Sequence, residues 1–185
     1  MAQRSEANHP RRKFLIQATS TAVAVCLPQL SLAKSNPLEA RSLAFLNLHT
    51  QETLSCIYWK NNQLSFSALT KIHHILRDHR TQEISQIDPQ LINLLYKLHT
   101  ATQSKAPFEI ISGYRSPKTN EALRKNTSGV AKRSLHMQGK AIDVRLADVD
   151  LRKFRDIAIE LQSGGVGYYP KSGFLHIDTG TPRYW

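Results

Sequence analysis

The chain has 185 residues, enough for one domain with a substantial core once any export segment is subtracted. It carries 25 Lys and Arg against 14 Asp and Glu, a formal net charge of +11, and two cysteines. So few cysteines exclude a disulfide framework, no redox or nucleotide-cofactor signature is present, and basic charge by itself selects no substrate.

The N-terminus reads Pro10-Arg11-Arg12-Lys13-Phe14-Leu15-Ile16, followed by an Ala/Val/Leu-rich run and the small-residue stretch Ser31-Leu32-Ala33. This is the layout of a cleavable signal peptide over residues 1–33, and the paired arginines followed by Lys-Phe-Leu resemble a twin-arginine export signal. The apolar run is too short for a spanning helix, so no stable membrane anchor is expected. Val25 is too bulky to precede a lipidated Cys26. Removal of residues 1–33 leaves Cys56 as a lone thiol, read as inert and buried, and leaves a net charge of about +8. The expected location is the periplasm, where the available polyanions are cell-wall polymers and a nucleic-acid partner is out of place.

A Lys34–Arg41 linker leads to the mature domain. Ser42–His49 and Thr53–Trp59 read as a β-hairpin, and Asn61-Asn62 as a turn. Ser67 then caps a helix with Ala68, Leu69, Ile72, Ile75, Leu76 and His79 at helical spacing. His73 and His74 diverge on that helix and read as solvated. Asp88-Pro89 opens a second helix, whose apolar stripe is Leu91, Ile92, Leu94, Leu95 and Leu98, with His99 complementing its C-terminus. Phe108–Ser112 is a core strand, and Ser116-Pro117 begins a short helix through Arg124. Lys125–Arg133 is a polar loop. Asp150 opens an amphipathic helix bearing Phe154, Ile157, Ala158 and Leu161. Gly164-Gly165-Val166-Gly167 follows a helix and enters a hairpin that turns at Pro170-Lys171-Ser172-Gly173, so it is no dinucleotide fingerprint.

Two stretches carry the chemistry, Ser134-Leu135-His136-Met137-Gln138-Gly139-Lys140-Ala141-Ile142-Asp143 and Phe174-Leu175-His176-Ile177-Asp178. Strand alternation puts Ile142, Val144 and Leu146 on one face and Asp143 on the other. In the second run His176 and Asp178 oppose Leu175 and Ile177. If the strands are neighbours, Asp143 and His176 share a face and His136 reaches them from the preceding loop. Two imidazoles and one carboxylate form a catalytic zinc set, one ion per chain, with a coordination position open to water.

The Ser-x-His-x-x-Gly-x-Ala-x-Asp pattern from Ser134 to Asp143 and the distal His176 resemble the zinc D,D-peptidases, which share a fold with the hedgehog signalling domain. Ser112-Gly113-Tyr114-Arg115-Ser116, Gly165-Val166-Gly167-Tyr168-Tyr169-Pro170 and the final Gly180-Thr181-Pro182-Arg183-Tyr184-Trp185 extend the similarity to the murein endopeptidase K group. The resemblance implies an α+β fold with a small antiparallel sheet flanked by helices and hydrolysis of peptidoglycan peptide cross-links, while chain length gives a single domain over residues 42–185 and twin-arginine passage favours a monomer. It implies His136, Asp143 and His176 as zinc ligands, and Arg115 and Ser134 as residues facing the substrate. Either the D-alanyl to diaminopimelate or the diaminopimelate to diaminopimelate bond is the target.

Many members of that family carry a general-base Glu three residues before the distal His, where this chain has Gly173. Asp178 is therefore the candidate for proton transfer, the alternative being a carboxylate that orients the His176 imidazole. Arg115 is expected to grip a substrate carboxylate or the developing oxyanion. Tyr168 and Tyr169 are read as packing residues. The competing reading of the whole chain is a non-catalytic zinc-containing wall-binding module, distinguished by a fourth protein ligand on the metal.

Overall fold

A computed structural model describes residues 40–126 and 130–185 together with Met1. The expected signal peptide and nearly all of the linker lie outside the described residues. In chain order the elements are β1 Arg41–Asn47, β2 Thr53–Lys60, β3 Gln63–Leu64, α1 Phe66–Ile75, α2 Pro89–Thr102, β4 Phe108–Ser112, α3 Pro117–Asn126, a 3-10 turn Leu135–Gln138, β5 Ala141–Leu146, α4 Leu151–Glu160, β6 Gly165–Tyr169, β7 Phe174–Asp178 and β8 Arg183–Tyr184.

The architecture is α+β, but the sheet is not small and not purely antiparallel. Among the described residues it has 8 strands in the order β3-β2-β1-β4-β5-β7-β6-β8. Strand β4 runs parallel to β1, and β8 parallel to β6. The long excursion through α1 and α2 between β1–β2 and β4 makes the first parallel pairing possible, since a parallel neighbour needs a crossover. Local alternation carries no sign of it.

One face of the sheet is covered by α2 and α4, with α1 against β2. Leu91, Leu95 and Leu98 of α2 and Phe154 of α4 join Ile142, Val144, Leu175 and Ile177 from the strands in one buried cluster. Burial of these aliphatic faces leaves the opposite face of β5, β7 and β6 for polar groups.

The helix starts at Asp88 and Asp150 are as expected, with each carboxylate accepting first-turn amides. Helix α1 differs. Its cap is Ser65, which accepts from the Ala68 amide, rather than Ser67. It also stops at Ile75, short of His79. Tertiary donors take the final carbonyls: Asn47 Nδ2 binds Ile75 O at 3.0 Å and the Tyr114 amide binds Leu76 O at 2.7 Å. His79 instead stacks on His49 with ring centroids 3.7 Å apart. His74 is exposed, whereas the His73 Nδ1 accepts from the Ile87 amide at 3.2 Å and so ties α1 to the next loop. His99 Nε2 reaches Ala106 O at 3.0 Å, pinning the turn beyond α2.

Candidate metal centre

His136 sits in the 3-10 turn that the sequence builds between two stops. Ser134 caps its start, with Oγ accepting from the His136 amide at 3.4 Å. Gly139 closes it at φ 64°, where a side chain would also meet the Gln86 carbonyl. The turn is clamped onto the segment after β4. The Arg115 amide donates to His136 O at 3.2 Å, and His136 Nδ1 lies 2.8 Å from Gly113 O.

A carbonyl only accepts, so His136 Nδ1 carries the proton and Nε2 presents its lone pair. Asp143 and His176 stand directly opposite one another in the antiparallel β5–β7 register. His176 Nε2 is 3.0 Å from Asp178 Oδ2, which leaves His176 Nδ1 facing Asp143. The three free ligand atoms converge: His176 Nδ1 to Asp143 Oδ1 is 2.9 Å, His136 Nε2 to His176 Nδ1 is 3.2 Å, and His136 Nε2 to Asp143 Oδ1 is 3.3 Å.

This donor set fits a metal ion. Ligand atoms at the usual bond lengths of tetrahedral zinc are about 3.3 Å from one another. Two ring nitrogens held in the ligating tautomer from behind, with a carboxylate between them, leave a cation as the natural occupant. His136 and Asp143 are buried and His176 is nearly so. For Asp143, burial opposes ionisation, but both imidazoles outweigh it and hold the carboxyl well below its ordinary range. Burial likewise opposes the charged form of His176, yet Asp143 and Asp178 raise it to about 9. Without a cation, a proton answers the two carboxylates.

Asp178 is fully buried. Its oxygens accept from the Gly165 amide at 3.1 Å, the Gly180 amide at 2.8 Å, His176 and both terminal nitrogens of Arg183. Burial opposes its ionisation, but these donors keep the carboxyl well below its usual value.

Arg115 leaves β4 beside the ligands, with NH2 3.7 Å from Asp143 Oδ2. Its Nε is buried with no hydrogen-bond partner among the described residues. The Asp78 carboxylate, which accepts from the Ser116 amide at 2.9 Å, anchors the start of α3 behind it. Asp78 was invisible to sequence reasoning because its partner is 38 residues away.

A cleft of about 470 Å³ opens over these groups, lined also by Arg133, Tyr169, Phe174 and Trp185. Trp185 lies 5.5 Å from the His176 ring and its Nε1 donates to Tyr169 Oη at 3.0 Å. Tyr168 turns to the other face, under Arg155. The aromatic wall was missed as part of the site. The spacing Gly167-x-Tyr169 on a strand next to His176 was its one sequence signal.

Two imidazoles and one carboxylate converging in a cleft are the donor set of a metal-dependent hydrolase with a coordination position left for water, and the comparisons give the family. The chain belongs to the family of the peptidoglycan L,D-endopeptidase MepK, whose pattern matches residues 35–185. It is 39% identical over 175 residues to the peptidoglycan L,D-endopeptidase MepK of Escherichia coli K12, covering 95% of this chain and 96% of the relative. The Shigella flexneri MepK aligns to the same extent, at 39% identity over 175 residues. The probable MepK of Haemophilus influenzae is 42% identical over 160 residues, 86% of each chain. No solved structure matches the chain.

Proposed function

We propose that this protein is a zinc endopeptidase of the periplasm, with the fold of the zinc D,D-peptidases, that cuts the diaminopimelate to diaminopimelate cross-link of peptidoglycan. The observation carrying this reading is the convergence of His136 Nε2, Asp143 Oδ1 and His176 Nδ1 at 2.9 to 3.3 Å, with both imidazole tautomers fixed by outer partners. The choice of bond follows the L,D specificity in the relatives' names, because the D-alanyl link joins two D centres and the diaminopimelate link joins an L to a D centre.

His136, Asp143 and His176 hold the ion. When bound, zinc supplies a Lewis acid that polarises a carbonyl and brings the ionisation of water near neutral pH. Three protein ligands leave a position for water, as catalysis requires. Asp178 orients His176 and, through Arg183, steadies the end of the chain; its saturated oxygens make it a positioning carboxylate rather than the base. Arg115, whose buried Nε has no partner among the described residues, offers donors to the oxyanion or to a carboxylate of the stem peptide. Ser134 fixes the turn carrying His136. No helix among the described residues is long and apolar enough to cross a membrane, and the domain of residues 42–185 works as a monomer after removal of residues 1–33.

Incubation with a defined diaminopimelate-linked muropeptide dimer, followed by mass spectrometry, tests the function. Two monomers of the expected mass, formed with zinc and suppressed by a chelator, support it. Binding without cleavage at every zinc concentration supports the wall-binding module instead.

A further inference from the structure

Hydrolysis of an amide needs a proton delivered to the departing nitrogen, because an amide anion is too basic to leave. Asp143 is engaged with both imidazoles, Asp178 is saturated by five donors, and Arg115, Arg133 and Arg183 are permanently charged. Among the described residues of the cleft this leaves Tyr169 as the one titratable acid outside the ligand cluster and its supports.

Its placement is specific. Gly167 pairs with His176 and Tyr169 with Phe174 across β6–β7, so the Tyr169 side chain rises on the same sheet face as His176. The ring stacks on Phe174 with centroids 4.8 Å apart, and the residue lines the cleft and remains 39% exposed. Trp185 Nε1 donates to the hydroxyl oxygen at 3.0 Å, which turns the hydroxyl proton away from the indole.

The indole is itself held by the backbone: the Tyr168 amide donates to Trp185 O at 2.9 Å, and the Trp185 amide to Val166 O at 3.2 Å. Gly167 makes the arrangement possible. A Cβ there would stand 2.8 Å from the Trp185 ring and 2.9 Å from the Tyr169 ring. Tyr169 and Arg115 both line the cleft over the ligands.

We propose that the Tyr169 hydroxyl, aimed by the Trp185 indole, is the proton donor to the departing amine, and that Trp185 is its positioning residue. In the balanced step the water oxygen bonds to the carbonyl carbon and the carbon–nitrogen bond breaks with its electron pair going to nitrogen. Nitrogen takes the Tyr169 proton, one water proton restores the hydroxyl, and the other is released as the product carboxyl group ionises. An indole N–H facing the oxygen stabilises the transient phenolate.

The inference rests on the peptidase function proposed above, and its test separates the two. Wild type, Tyr169→Phe and Trp185→Phe are compared on a diaminopimelate-linked dimer and on its ester analogue, in which oxygen replaces the departing nitrogen. Tyr169→Phe keeps the stack on Phe174 and loses only the hydroxyl. Its kcat on the amide is expected to fall about 100-fold. KM should stay within about 3-fold and the zinc affinity, from chelator competition, should not change. On the ester, whose leaving oxygen needs far less protonation, the loss should shrink to below about 5-fold, and Trp185→Phe should show the same pattern at smaller amplitude. Wild-type cleavage with an undiminished Tyr169→Phe variant, or equal losses on amide and ester, overturns the proton-donor role and leaves the endopeptidase standing. Failure of the wild type to cut the amide overturns both.

Discussion

His176 Nε2 lies 3.0 Å from Asp178 Oδ2, and that one contact fixes which ring nitrogen of His176 faces His136 and Asp143. Partners of this kind typically govern metal affinity by 10–100-fold. Asp178→Asn is expected to weaken zinc binding by about that factor and to regain near wild-type turnover once zinc is raised to saturation. Chelator-competition titration alongside activity checks this. Turnover that stays low with the metal site full would return Asp178 to the role of base.

Truncation of a ligand should act on metal binding before anything else. His136→Ala and His176→Ala are expected to lose cleavage to background. They should also lose the stabilisation that a saturating metal confers, about 2.7 kcal/mol at a free concentration 100 times Kd. Thermal melts with and without zinc measure it. A metal-dependent rise in Tm equal to that of the wild type would remove the residue from the site.

Arg115 combines a buried Nε that has no partner among the described residues with an NH2 held 3.7 Å from Asp143 Oδ2. Burial presses its guanidinium toward the neutral form, and the Asp143 carboxylate opposes this. A lysine keeps charge but loses the planar fork. Arg115→Lys should therefore lower kcat/KM about 100-fold, in the range of a lost oxyanion donor, with zinc affinity unchanged. Steady-state kinetics at saturating zinc decides it, and wild-type kcat/KM would discard the assignment.

Burial of His79 sets an acid limit on stability. Burial, then the neighbouring Arg80 and His49, lower His79 from 6.5 to about 4, with Asp78 opposing. Below pH 6.5 the unfolded chain therefore binds a proton that the folded one refuses, so stability falls from pH 6.5 down to about 4 and the contribution then levels off. Urea midpoints across that window should decline in the wild type and decline less in His79→Phe, which keeps an aromatic ring against His49. Identical profiles would contradict this origin.

Much of the candidate site was legible because it depends on short-range periodicity. Alternation in Ala141–Leu146 and Phe174–Asp178 put Asp143 and His176 on one face, and the direct pairing of these two residues follows from β5 and β7 being neighbours. The Asp88 and Asp150 helix starts were equally readable, since a capping carboxylate acts within three residues. What was not legible depends on distant chain segments. The end of α1 is set by Asn47 and Tyr114, the His136 tautomer by Gly113, and the 8-stranded mixed sheet by pairings of β1 with β4 and β6 with β8. Trp185 enters the cleft only because Gly167 leaves room for its ring, a complementarity across two strands that no local pattern announces.

The metal centre itself is tested most directly by anomalous diffraction at the zinc edge from crystals of the zinc-loaded protein. One strong peak is predicted, about 2.0 to 2.2 Å from His136 Nε2, an Asp143 carboxylate oxygen and His176 Nδ1, with no fourth protein atom in the coordination sphere. A peak elsewhere in the molecule, or a fourth side chain closing the sphere, would contradict the account.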